Sequence, residues 1–243
     1  MAPLQPNRRR LVARLAIALA AAAVLAVILL KLTPGVYRRT EAIGPDPAAV
    51  ARFNEQVVNP ALNVLLDRSG GTRLDLAITE EMVNARAARF LADEARSGRA
   101  VPPVLADARV GFEGGRVVMA TRLGSGASGV VVAQHFRLSA DAEGRLCVAS
   151  AGMSAGLLPV PGFLTDGPMC QAVAAHLARV EAAGSDNGDV QFWRYFAEAL
   201  GGRPVWLGEG RKRILLDRIE IEDGVLKVQG HRAGAETPRQ NDQ

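Results

Sequence analysis

The chain opens on an unbroken apolar stretch and afterwards alternates between helical and strand periodicity. Leu15 to Leu30, "LAIALAAAAVLAVILL", is sixteen uncharged residues with neither Pro nor Gly, so a helix here is apolar on every side. Extended to Leu11–Leu32, with Arg14 and Lys31 reaching toward head groups, it makes roughly 33 Å of helix, enough to cross a hydrocarbon core of about 30 Å. The competing reading is a cleaved signal peptide. Against it, the run ends in the bulky "VILLKLTPG" with no small-x-small site, and a signal h-region is shorter.

Beyond a Pro- and Gly-containing juxtamembrane linker at 33–45, Asp46–Pro47 is a helix start: a capping carboxylate followed by a residue whose missing N–H costs nothing at the first helical position. That helix carries Val50, Phe53, Val57 and Val58 on one face, and Pro60 kinks or divides it. "TRLDLAIT" then alternates Leu74, Leu76 and Ile78 with polar residues, as a half-buried strand does. Thr79 caps a second helix with Glu80 and Glu81 in its first turn and Val83, Ala87, Phe90 and Leu91 on its apolar face.

From Val104 to Ser154 the period becomes two. "ARVGFEGGRVVMATRL" is a hairpin turning at Gly114–Gly115, "VVVAQHFRLS" and "RLCVASAGMS" continue it, and "ADAEG" joins them, giving an antiparallel meander. "GLLPVPGFL" (156–164) is apolar, but Pro159 and Pro161 bar it from a central strand. It is either a crossover packed under the sheet or a lip that meets lipid. A helix follows at 168–183. "QFWRYFAEAL" puts Phe192, Tyr195 and Phe196 on one helical face and Trp193 on another, as core, as an aromatic belt on the membrane surface or as a partner-binding patch. "RILLDRIEIEDGVLKVQG" closes the fold as a hairpin about Asp223–Gly224, and 231–243 is a polar tail. The predicted architecture is α+β: a transmembrane helix at 11–32 behind a short cytoplasmic N-terminus (1–10), then one extracytoplasmic domain at 46–230 with helices on the concave face of a curved antiparallel sheet.

Charge changes the picture in one respect. The pI near 9.6 suggests a phosphate-binding surface, yet Arg8, Arg9, Arg10, Arg14 and Lys31 belong to the anchor region; without them 24 basic residues face 25 acidic ones. The domain is electrostatically ordinary and no nucleic-acid partner is expected. Four arginines before the apolar run favour a cytoplasmic N-terminus, placing the domain outside or in the periplasm of a bacterium, on the inner membrane.

Candidate chemistry is sparse. "GSGASG" at 124–129 matches G-x-G-x-x-G, but Val130, Val131 and Val132 follow it where a dinucleotide loop needs a helix, so no cofactor is expected. His135, His176 and His231 are scattered without metal-ligand spacing. Ser125 and Ser128 are not in a nucleophile elbow, and Asp75, Glu80 and Glu81 form no committed acid–base pair, so no catalytic residue is assigned and no enzyme expected. In an oxidising compartment Cys147 and Cys170 either pair across their 23-residue separation or remain two small buried thiols.

Three motifs carry a resemblance: "LDLAITEEMVNARAARFL", "SAGLLPVPGFL" after a meander, and "ILLDRIEIEDGVLKVQG". Together they resemble the membrane-anchored YpmS-like bacterial proteins and, more distantly, the tubular lipid-binding domains. The resemblance implies an apolar groove and a lipid-handling role. Small residues at Ala149, Ala151, Gly152 and Gly156, with Leu157, Leu158 and Phe163 beside them, are the expected lining of that groove. Trp193 and Tyr195 are the expected patch of the alternative, a scaffold that docks another envelope protein and holds no ligand.

Overall fold

The structure is a computed structural model describing residues 21–66, 73–96, 106–124, 129–161, 174–175, 177–178, 181–182, 194–195, 197–209 and 212–234. It is α+β, an antiparallel half-barrel fronted by an apolar helix. Helix α1 is helical over 21–31 and breaks ahead of Pro34. Then come α2 (Gly35–Glu41), α3 (Pro47–Phe53), a π-turn (Asn54–Val58), α4 (Asn59–Leu66), β1 (Arg73–Thr79) and α5 (Glu80–Arg96). Strands β2 (Arg109–Glu113), β3 (Arg116–Leu123), β4 (Val130–Ala140), β5 (Leu146–Ala155) and β6 (Leu158–Val160) follow, and β7 (Leu207–Glu209), β8 (Lys212–Glu222) and β9 (Val225–Arg232) complete the chain order.

The strands form two antiparallel sheets, β1-β9-β8-β7 and β2-β3-β4-β5-β6. Among the described residues backbone bonds join them at three places, one of them the antiparallel Leu146–Val205 bridge that leads into β7. Leu216 N–H donates to Gly144 O (2.9 Å) and Gly224 N–H to Phe112 O (2.9 Å), which curls the whole into a half-barrel. The expected meander is present in register: Leu123 pairs with Val130 across "GSGASG", so those glycines connect two antiparallel strands and precede no helix. The turn at Gly114–Gly115 takes φ of 57° and 72°, the left-handed geometry that makes a tight hairpin and favours glycine. Pro159 sits on β6 at the sheet edge, where a missing N–H is tolerated.

Sequence cues explain the helices. Asp46 accepts from the N–H groups of Ala48 and Ala49 at the start of α3. Pro60 is accommodated by the π-turn just before it, a widened turn that separates the proline ring from the preceding carbonyls without ending the helix. Thr79 Oγ1 accepts from Met82 N–H at 3.3 Å and caps α5. Val57 and Val64 pack on Leu74, Leu76, Ile214 and Leu216, a core between the α3–α4 unit and the first sheet.

Two boundaries differ from those read in the sequence. The linker expected at 33–45 contains α2, docked on the second sheet: Val36 and Tyr37 are buried with Val118, Ala120, Val131 and Ala133. Seven residues after a proline carry too little periodicity to announce this, and the helix is held by tertiary contacts. Tyr37 donates a hydrogen bond to Asp107, Arg39 pairs with Glu80 and Glu113, and Arg122 pairs with Glu41. At the other end, β9 continues through His231 to Arg232, where His231 Nδ1 lies 2.9 Å from Asp217 Oδ1. Residues 235–243 lie outside the described residues.

Among the described residues one helical stretch, Ala21–Glu41, is long and apolar enough to cross a membrane, with 11% of its apolar window buried. Val24, Leu25, Val27 and Ile28 are each more than half exposed, a contiguous apolar surface of the kind that marks a membrane or partner contact.

Candidate ligand cavity

Between the concave face of the second sheet and α5 lies an apolar cavity of about 670 Å³, partly open to the surface. Each wall follows from a simple periodicity. Helix α5 contributes Val83, Arg86, Ala87, Phe90 and Leu91, the side chains that fall on one face at spacings of three and four. The strands contribute alternate residues: Val110 and Phe112 from β2, Val117 and Met119 from β3, Phe136 and Leu138 from β4, Leu146 and Val148 from β5. Phe53 and Val58 close one end, with Ile78 and Leu226 where the first sheet begins and Ala199 and Leu200 nearby.

The apolar stripe of α5, legible in the sequence, therefore faces open space and not a filled core. Two polar groups hold it there. Asn84, fully buried, donates from Nδ2 to Glu80 O (2.7 Å) and Val110 O (2.6 Å) and accepts Val110 N–H on Oδ1 (2.9 Å). Its side chain thus pairs with the edge of β2 as a neighbouring strand would. Glu80 accepts Phe112 N–H at 2.7 Å and also pairs with Arg39, so the first turn of α5 is tied at once to β2 and to α2. In the sequence Glu80 is legible as a first-turn carboxylate but its tie to β2 is not, and the only signal for Asn84 is an amide one position off an apolar helix face.

Among the described residues Arg86 is the one ionisable member of the lining. His135, on the opposite face of β4 from Phe136, is held below its usual pKa by burial and by nearby Arg116. Among the described residues no three His, Cys, Asp or Glu side chains gather as metal ligands would. Cys147 is half-buried on β5, and Cys170 lies outside the described residues.

None of the described groove candidates lines this cavity. Ala149 is exposed on β5, and Ala151 is the extra residue of a bulge, since His135 pairs with Gly152 while Phe136 pairs with Ser150. Gly152 adopts φ 111° with open space where a Cβ would project. The small residues thus accompany the bulge and its change of register, and the cavity takes Leu146 and Val148 from the other end of the strand. Gly156, Leu157 and Leu158 lie where β5 turns into β6, against the end of α1: Leu157 N–H donates to Leu29 O (2.9 Å), and a Cβ on Gly156 would stand 2.4 Å from the Leu29 and Leu30 carbonyl oxygens. Leu157 is 49% exposed beside that helix end. Tyr195 is half-buried in a helical segment and outside the lining; Phe163 and Trp193 lie outside the described residues.

No family model matches the chain, and no curated protein or solved structure matches it either.

Proposed function

We propose that this chain is a membrane-anchored, non-catalytic binding protein that holds a lipid or other apolar molecule beside a bacterial inner membrane, its N-terminus cytoplasmic and its domain outside. The observation that carries the reading is the cavity: about 670 Å³ walled by aliphatic and aromatic side chains, inside the range of roughly 300–1,000 Å³ typical of ligand sites. A void of that size lined by Phe, Leu, Val and Met leaves many dispersion contacts unmade when empty. An acyl chain recovers them at about 0.8 kcal/mol per buried methylene. This is also the role implied by the resemblance to YpmS-like and tubular lipid-binding proteins.

The contact between α1 and the Gly156–Leu157 turn supports an uncleaved anchor, because the domain supplies a backbone donor to the end of that helix. It also sets Leu157 and Leu158 at the level of the helix end, where the lip reading of this turn puts them against head groups.

The test is native mass spectrometry of the full chain purified in mild detergent without added lipid. The reading expects a co-purifying apolar mass that Ala87→Trp removes, with Ala108→Trp as an independent filling variant from the β2 side and circular dichroism unchanged. Wild-type chain carrying protein mass alone would contradict it and favour the ligand-free scaffold.

A further inference from the structure

We propose that the cavity selects an amphiphile with an anionic head, and that Arg86 is the residue that reads it. The inference rests on the lipid-binding reading and adds the chemistry of the polar end. Helix α5 carries Arg86, Arg89 and Arg96. Arg89 lies 3.2 Å from Asp93 and Arg96 also pairs with Asp93, so both are satisfied on the outer side of the helix. Arg86 projects from the same face as Val83, Ala87 and Phe90 and joins the lining. Among the described residues it has no hydrogen bond or ion pair.

A half-buried arginine that borders apolar walls and makes no ion pair has little to offset the hydration it gives up. The planar guanidinium is also the side chain best suited to grip a carboxylate or a phosphate through two parallel N–H donors. An acyl chain against Phe90, Met119 and Phe136, with its anionic end at Arg86, satisfies both the apolar walls and the charge. A neutral lipid satisfies only the first. Carboxylate and phosphate heads share the recognising chemistry, and the experiment separates them.

The full chain is placed in nanodiscs of phosphatidylcholine with a diazirine-bearing fatty alcohol as a neutral reporter, and cross-links to peptides holding Phe90 and Met119 are quantified. Lauric acid, lauryl phosphate and lauryl alcohol then compete at matched free concentrations. The expected result is displacement by at least one of the two anions at about tenfold lower concentration than the alcohol, one tenfold step being about 1.4 kcal/mol. Arg86→Gln abolishes that advantage while leaving the alcohol's own displacement unchanged, and Arg86→Lys restores part of it. The more potent anion identifies a fatty-acid or a phosphate head. Equal displacement by all three compounds, with Arg86→Gln silent, overturns the anionic selection and leaves the apolar site standing, its arginine reaching to water. No cross-link to the lining in the wild-type chain removes both readings.

Discussion

Gly111 shows how one residue sets the position of α2, and with it the N-terminal helix, relative to the sheets. A Cβ built on it would lie 2.1 Å from Val36 Cγ1. The flat backbone of β2 is thus the seat into which α2 presses, and its neighbours Val110 and Phe112 point the opposite way into the cavity. Gly111→Ala is expected to cost about 1–3 kcal/mol through this overpacking, read as a lowered midpoint in denaturant unfolding. An unchanged midpoint would mean that α2 is not seated there. None of this was legible in the sequence, where Gly111 is one small residue inside an alternating strand; a close approach depends on what the fold brings to it. Phe112 and Leu76, by contrast, were readable as inward-facing because alternation alone assigns them.

Among the elements, legibility followed the strength of local pattern. Helix α5, with its Thr79 cap and apolar stripe, and the β8–β9 hairpin about Asp223–Gly224 were readable in type and nearly in extent, because propensity, capping and turn chemistry agree there. Helix α2 was not, since its stability comes from Tyr37 and the ion pairs around it. The small residues expected to line a groove and the residues that line the cavity fall on different stretches of β5 for a related reason: small residues signal either a cavity or a bulge, and only pairing with β4 decides.

The Tyr37 hydroxyl, buried and donating to Asp107, has its pKa pushed from 10.0 up to about 12, first by burial and then by that carboxylate. A raised folded-state value favours the neutral phenol. The stability it confers is complete below pH 10 and is lost as pH rises from 10 toward 12. Thermal unfolding followed across that interval should show a loss of stability that Tyr37→Phe reduces. An identical alkaline profile in the variant would show that this bond does not hold α2.

Taken whole, the molecule is a half-barrel whose concave side is incompletely filled, carried on an apolar helix to which the β5–β6 turn is directly bonded. The two features answer each other physically. On the proposed reading, a domain bonded to the end of a membrane-crossing helix would sample lipid continuously, and an apolar cavity beside it would have a ligand at hand without a search through water. The most direct measurement is an experimental density map of the full chain purified without added lipid. The account predicts elongated, non-protein density running between Phe90, Met119 and Phe136 with its polar end at Arg86. Side chains collapsed inward to fill that space, leaving a dry and continuous core, would contradict it.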